Sequence, residues 1–187
     1  MKNPLIINLF GGPGSGKSTA RAGIFNILKK QNISCEEASE WIKHKVYEGN
    51  TYVPKDQIYV FAKQNKLLRE IGNVVDVIVT DSPLISGILY DSDNNIPLRN
   101  LIYSEFEKFN NVNFFLNRMS GYDPVGRYQD YESAKKIDEQ TKNLLISRNY
   151  KFTEVDVKND KVNSDNDAEK LIAKLILKQL HKIKADE

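Results

Sequence analysis

The chain has one cysteine, Cys35, among 187 residues. No intramolecular disulfide can form, and a reducing cytoplasm is the compartment expected. Histidine is scarce too: His44 and His181 have no metal-ligating neighbour at suitable spacing and read as surface residues. Neither sign of charge is in real excess. Lys plus Arg number 27 against 25 for Asp plus Glu, a net charge of +2. That excludes a chain-wide attraction to nucleic acid or an anionic membrane surface, while leaving room for a local basic groove. Long apolar runs are missing as well, and the best of them, VVDVIVT at 74–80, falls far short of the roughly 20 residues of a membrane-spanning helix. Residues 1–4 lead straight into a strand-like run, so no secretory leader is expected. There is no internal repeat, low-complexity tract or linker, and the length suits a single domain over 1–187 with a substantial core.

What is present is an alternation of short apolar runs and helical periodicity. Residues 5–10 predict a buried strand, and 17–30 a helix with Ala20, Ile24, Ile27 and Leu28 on one side. A short strand is expected at 33–35, then a helix over 37–47 closed by Gly49-Asn50. Residues 56–71 predict a helix whose apolar side carries Ile58, Phe61, Leu67, Leu68 and Ile71. The β-branched run at 74–80 predicts the clearest strand, followed by a loop at Ser82-Pro83. A helix over 98–109, a strand at 112–116, a loop over 118–130, a helix over 131–148, a strand at 151–155 and an amphipathic helix over 165–183 complete the chain. Strands alternating with helices imply an α/β three-layer sandwich around a parallel sheet.

The first strand runs into GGPGSGKST at 11–19, which fits G-x-x-x-x-G-K-[ST] with a strand before it and a helix after it. A triphosphate concentrates negative charge in a small volume. Glycines let backbone N–H groups converge on it, and the positive end of the next helix adds to the attraction. Gly12, Gly14, Ser15, Gly16, Lys17, Ser18 and Thr19 are the expected nucleotide-binding residues. Lys17 would bridge the β- and γ-phosphates, and the Ser18 hydroxyl would ligate Mg²⁺. A second metal-side carboxylate is expected at the end of a neighbouring strand. Asp81 in VTDSP supplies it, whereas Asp76 lies in the strand body.

The phosphate loop alone does not choose a class. Asn65-Lys66-Leu67-Leu68 lacks the aspartate of a guanine-specificity element, and Asp81 is followed by Ser82-Pro83 rather than by a glutamate that would activate water. A kinase needs a lid, and 118–130 offers Arg118 and Arg127 at either end of a Gly/Pro loop, placed to close over ATP and exclude water. It also needs an acceptor-side carboxylate. The segment offers Glu36, Glu37 and Glu40; Glu36 and Glu40, four apart, would share a face of a helix that begins there, and Glu40 is preferred. The insert at about 36–72 carries Trp41, Tyr47, Tyr52, Tyr59 and Phe61, either core residues or a stacking wall for a planar acceptor. Its lysines, Lys43, Lys45, Lys55, Lys63 and Lys66, would serve a DNA acceptor or simply be solvated.

Together GGPGSGKST, EEASEW (36–41), VTDSP (79–83), and YDPVGRYQ with AKKIDEQ (122–140) resemble the P-loop nucleoside and nucleotide kinase group. The likeness is greatest to the small kinase-type AAA proteins related to ribosylnicotinamide kinase domains, many of them from bacteriophages, and it spans most of the chain. It implies a five-stranded parallel sheet of order 2-3-1-4-5, an ATP and Mg²⁺ requirement, and an acceptor that is a nucleoside, a nucleotide or a hydroxymethylated base in DNA. One departure stands out: Ser39 occupies the place where the family's acceptor-side element commonly has arginine. A homodimer is compatible with the sequence, which does not fix the oligomeric state.

Overall fold

In a computed structural model, which describes residues 3–49, 52–118, 131–157 and 167–186, the apolar run at the start forms strand β1 (Leu5–Phe10), buried along its whole length. Side chains alternate across a strand, so Leu5, Ile7 and Leu9 enter one core and Ile6 and Phe10 the other. Only a strand covered on both faces reads this way. Four more strands flank it in parallel: β2 (Cys35–Ala38), β3 (Val77–Thr80), β4 (Asn110–Arg118) and β5 (Thr153–Val157). Their order is β2-β3-β1-β4-β5, as expected.

Helix α1 (Lys17–Lys30) covers the first face through Ala20, Ile24 and Leu28, joined there by Ile172 and Ile176 of the C-terminal helix (Ala168–Asp186). Ile24 and Leu28 are wholly buried, so truncating either to alanine costs about 2–5 kcal/mol. Between β2 and β3 run α2 (Ile42–Tyr47) and α3 (Gln57–Gly72), with a 3-10 turn at Val53–Lys55 between them. Helix α4 (Ile96–Glu107) precedes β4, and α5 (Tyr131–Ser147) precedes β5; the C-terminal helix is α6. The second face is covered by Phe61 and Leu68 of α3, Leu98, Ile102 and Phe106 of α4, and Leu145 of α5. Among the described residues no helix is long and apolar enough to cross a membrane.

Three sequence expectations are corrected. Glu36 and Glu37 lie in β2 rather than at a helix start, and the helix begins only at Ile42. Pairing of residues 35–38 with 77–80 overrides local propensity: Cys35 is buried against α1 and Ala38 against the opposite layer. Glu36 and Glu40 therefore share no helix face. Val74 is exposed in the turn that ends α3, so β3 starts at Val77. Finally, the stretch after Ser82-Pro83 is a 3-10 helix, Leu84–Tyr90, which buries Leu84, Ile85 and Ile88.

Candidate functional site

β1 lies between β3 and β4, where the order of connection reverses, the place at which open α/β sheets bind their ligands. The loop Gly11–Gly16 occupies it. Gly16 caps α1 with φ +85°, a left-handed conformation that a Cβ disfavours, and its carbonyl accepts from Ala20 N at 2.9 Å to start the helix. At Gly12 the reason for glycine is space. An added Cβ would fall 2.5 Å from the Ala134 carbonyl oxygen and 2.9 Å from Asp138 Oδ1, because α5 packs directly on the loop.

Lys17 folds back over this loop, its Nζ donating to the carbonyls of Gly11 at 2.6 Å and Gly12 at 2.9 Å. The third ammonium proton is uncommitted among the described residues. Burial pulls the Lys17 pKa below that of a free amine, opposed by the charges of Glu40, Asp81 and Asp138. The buried Ser15 hydroxyl has no hydrogen-bond partner among the described residues. A desolvated cation, an orphaned hydroxyl and a glycine-capped helix N-terminus fit a polyanionic phosphate chain. Ser18 is half-buried in the first turn of α1 and Thr19 is exposed.

Asp81 follows β3 directly and is 4% exposed, with Thr80 in register beside Asn8 of β1. Its Oδ1 accepts from Arg21 Nη1 at 2.8 Å and from the backbone N–H of Glu40 at 3.1 Å. Arg21 Nε also donates to Glu37 Oε1 at 2.8 Å. Burial works against the Arg21 charge, but Asp81 and Glu37 outweigh it and raise its pKa. The Thr80 hydroxyl donates to the Ala38 carbonyl at 2.8 Å and accepts from Ser82 N at 3.1 Å, which fixes the turn carrying Asp81. Asp76 lies at the other end of β3, exposed, so only Asp81 faces the loop. No cluster of three or more His, Cys, Asp or Glu suited to a metal occurs among the described residues. A Mg²⁺ site of the P-loop kind needs none, since substrate phosphates and water supply most of the ligands.

The two acceptor-side glutamates part company. Glu36 lies on the edge strand β2 and pairs with Lys29 of α1 at 3.2 Å, both well exposed. Glu40 stands at the rim of the phosphate site, where its charge acts on Lys17 and on Tyr90. Tyr90 ends the 3-10 helix and is 43% exposed as a whole, while desolvation around its hydroxyl together with the carboxylates of Glu40 and Asp138 pushes that group up to about 12. Beyond Glu40, Trp41 and Tyr59 meet edge to face with centroids 5.4 Å apart at 76°. Lys63 lies over the Tyr59 ring at 5.4 Å. Phe61 is core, while Tyr47 and Tyr52 are exposed. Lys45 pairs with Glu48 at 2.6 Å, and Lys66 with Glu70.

Arg118 ends β4 rather than opening a solvent loop, and its side chain is 6% exposed. Its Nη2 donates to Asp138 Oδ2 at 3.1 Å, while Gly12 N donates to Asp138 Oδ1. Arg127 and the rest of the expected lid over 119–130 lie outside the described residues.

Three residues of this arrangement have no role in the sequence reading: Arg21, Tyr90 and Asp138. Arg21 was legible, since it stands four residues after Lys17 and therefore on the same face of α1. Glu37, an acid of the same segment, yields to Glu36 and Glu40 only when the segment is read as helix, whereas it lies in β2. Tyr90 and Asp138 reach the site only through tertiary packing and leave no local signal.

The AAA domain family matches residues 6–161. No curated protein matches the chain. A crystal structure of the NadR protein in complex with NR superposes with a TM-score of 0.66 at 12% identity, over 93% of this chain and 51% of that one. This chain therefore spans about half the length of that relative, and at such low identity the likeness speaks for the fold. With the phosphate loop set at the sheet's switch point and the family match running through all five strands, the chain belongs to the AAA domain family and has the kinase-type P-loop NTPase fold.

Proposed function

We propose that the protein is a Mg²⁺·ATP-dependent kinase that transfers the γ-phosphoryl group to a hydroxyl of a nucleoside, nucleotide or nucleotide-like acceptor. The observation that carries this reading is the hydrogen bond from Glu40 N to Asp81 Oδ1. It ties the acceptor-side segment to the metal-side carboxylate and keeps a second carboxylate within electrostatic reach of Lys17. Asp81 has Ser82-Pro83 after it and no adjacent glutamate, so hydrolysis is poorly served where transfer is well served.

In this reading Lys17 exchanges its bonds to the Gly11 and Gly12 carbonyls for β- and γ-phosphate oxygens, and its desolvated charge gains from the exchange. The loop amides from Gly14 to Thr19 cradle the phosphates, with Gly14, Ser15 and Gly16 in the turn itself, while Asp138 holds the Gly12 amide. Ser18 and Asp81 would hold Mg²⁺, which would supply charge neutralisation for the phosphoryl transfer. Arg21, bridging Asp81 and Glu37, keeps the metal-side carboxylate aimed. Glu40 accepts or orients the proton of the acceptor hydroxyl, and Arg118 and Arg127 offset charge on the transferring group. Glu36, occupied by Lys29 at the sheet edge, is set aside as the base.

The Trp41–Tyr59 pair beside Glu40 offers a face for a planar acceptor, and the related NadR structure holds NR. A hydroxymethylated pyrimidine in DNA is the second acceptor class, and it is less well served because Glu48 and Glu70 engage Lys45 and Lys66. The test is direct: γ-labelled ATP with Mg²⁺ is offered to nucleosides, nucleotides, nicotinamide riboside, and normal or hydroxymethylated DNA. Label on a small acceptor supports the reading, label only on DNA replaces its acceptor, and label released solely as phosphate makes the protein an ATPase.

A further inference from the structure

Helix α5 presents successive turns to the phosphate loop. The Tyr131 ring lies 5.8 Å from the Arg118 guanidinium carbon, the Ala134 carbonyl closes on Gly12, and Asp138 stands one turn further on. Asp138 divides its carboxylate: Oδ1 receives the Gly12 amide and Oδ2 receives Arg118 Nη2 at 3.1 Å. The Arg118 charge in turn reaches Lys17, where it works to lower the ammonium's pKa. Two cations thus stand beside a nest of amides, a setting in which an incoming phosphate could interact with both. An anchor between α5 and the loop would need nothing more than an acceptor for the Gly12 amide. The second oxygen, spent on a nearly buried arginine, calls for another explanation, because a buried ion pair is a weak source of net stability.

We propose that Asp138 is a positioning residue that acts through Arg118, holding the guanidinium beside the phosphate loop so that it meets the terminal phosphoryl group of a bound nucleoside triphosphate. This rests on the reading in which Arg118 contacts that phosphoryl group. It goes beyond it by assigning the residue that aims the arginine and couples it to the loop. Asp138 itself touches no substrate.

The test measures the affinities of Mg²⁺·ATP and Mg²⁺·ADP by calorimetry for the wild-type chain, Asp138→Asn, Arg118→Gln and the double variant, with a thermal melt of each. The asparagine carbonyl can still accept from Gly12, but the charge that holds Arg118 is gone. The preference for ATP over ADP is expected to fall about tenfold in Asp138→Asn and by a similar factor in Arg118→Gln, the scale of one charge-assisted hydrogen bond. The double variant should lose no more than either single one, because the two residues act as a unit. Affinity for ADP and the melting temperature should stay near those of the wild type in Asp138→Asn. The proposal is overturned if the wild type binds both nucleotides equally, if either single variant keeps the preference, or if the two losses multiply. An Asp138→Asn chain that no longer folds, beside a folded Arg118→Gln, would make Asp138 a plain structural anchor and overturn it as well. No acceptor enters these measurements. A failure of the kinase reading, seen as label on no acceptor, is therefore distinguishable from a failure here.

Discussion

At the phosphate loop the contacts are backbone groups and buried charge: Lys17 on the Gly11 and Gly12 carbonyls, Arg21 across Asp81 and Glu37, and Asp138 on the Gly12 amide. A short way along, from Trp41 to Lys66, they are a ring pair at the surface and ion pairs open to solvent. The first kind of contact is hard to change. A side chain at Gly12 collides with α5, and an uncompensated charge near Asp81 is costly. The second kind is easily exchanged, since surface ion pairs contribute about 0–1 kcal/mol. A triphosphate presents the same charge to any protein that binds it, whereas acceptors differ in shape and polarity. In the kinase reading proposed above, the rigid bank would suit the constant ligand and the replaceable bank the variable one.

Breaking the rigid bank should have the largest effect. Lys17→Ala is expected to lower phosphoryl transfer about 10²–10³-fold or more, the range for removing a preorganised charge partner of the transition state. The melting temperature should hold, because the side chain only folds over its own loop. Undiminished labelling of an acceptor by this variant would show that the loop is not the donor site.

Next comes the seam between the banks. Glu40→Gln keeps the backbone N–H that bonds Asp81, so ATP affinity should be unchanged while transfer falls about 10²–10⁴-fold, the usual range for a general base. A loss of ATP affinity in step with turnover would place Glu40 on the donor side. Unaltered turnover would move the base to another residue.

The same contrast explains how much could be read beforehand. The phosphate loop and Asp81 were legible because each is a local pattern with a local cause: glycines where backbone must approach phosphate, and a carboxylate just past a β-branched strand. The sheet order came from family likeness, and the register of β1 with β3 and β4 bears it out. Glu36 and Glu37 were misread because charged residues at 36–37 are typical of a helix start, yet an edge strand tolerates them equally. Asp138 lies 126 residues from Gly12, and no spacing rule spans that distance. The strand expected at 112–116 runs on to Arg118, the first residue of the expected lid, because Val157 of β5 pairs with it.

On the replaceable bank the effects shrink. Trp41→Ala removes one ring of the edge-to-face pair, and such a pair contributes about 0.5–1.5 kcal/mol. The KM for a planar acceptor should rise about two- to tenfold, with the KM for ATP unmoved. A change in the ATP term alone would mean that the aromatic pair serves the donor, and the two banks would lose their distinction.

The smallest effect is expected behind that bank, where Glu105 of α4 fastens α3. Its carboxylate accepts from Lys108 at 2.5 Å, from Arg69, and from Asn65 at 3.3 Å. The Lys108 hydrogen bond, against the opposing cost of burial and with Arg69 and Asn65 assisting, holds its pKa down to about 2. The unfolded chain would titrate near about 4.3. A depressed folded pKa contributes stability that is complete above the unfolded value and is lost as pH falls from there towards about 2. Both cationic partners are at least half exposed, so screening trims the effect to about 1 kcal/mol at neutral pH. In a chain of 187 residues that corresponds to roughly 2–4 °C in melting temperature. Glu105→Gln should therefore melt slightly lower than the wild type at pH 7, and the gap should close between about pH 4.5 and pH 2. Nucleotide affinity should not change, because the cluster fastens only the helix behind the acceptor face. A gap that persists unaltered at acid pH would show that packing rather than charge joins α3 to α4, and that the replaceable bank stands on a firmer base than its surface contacts imply.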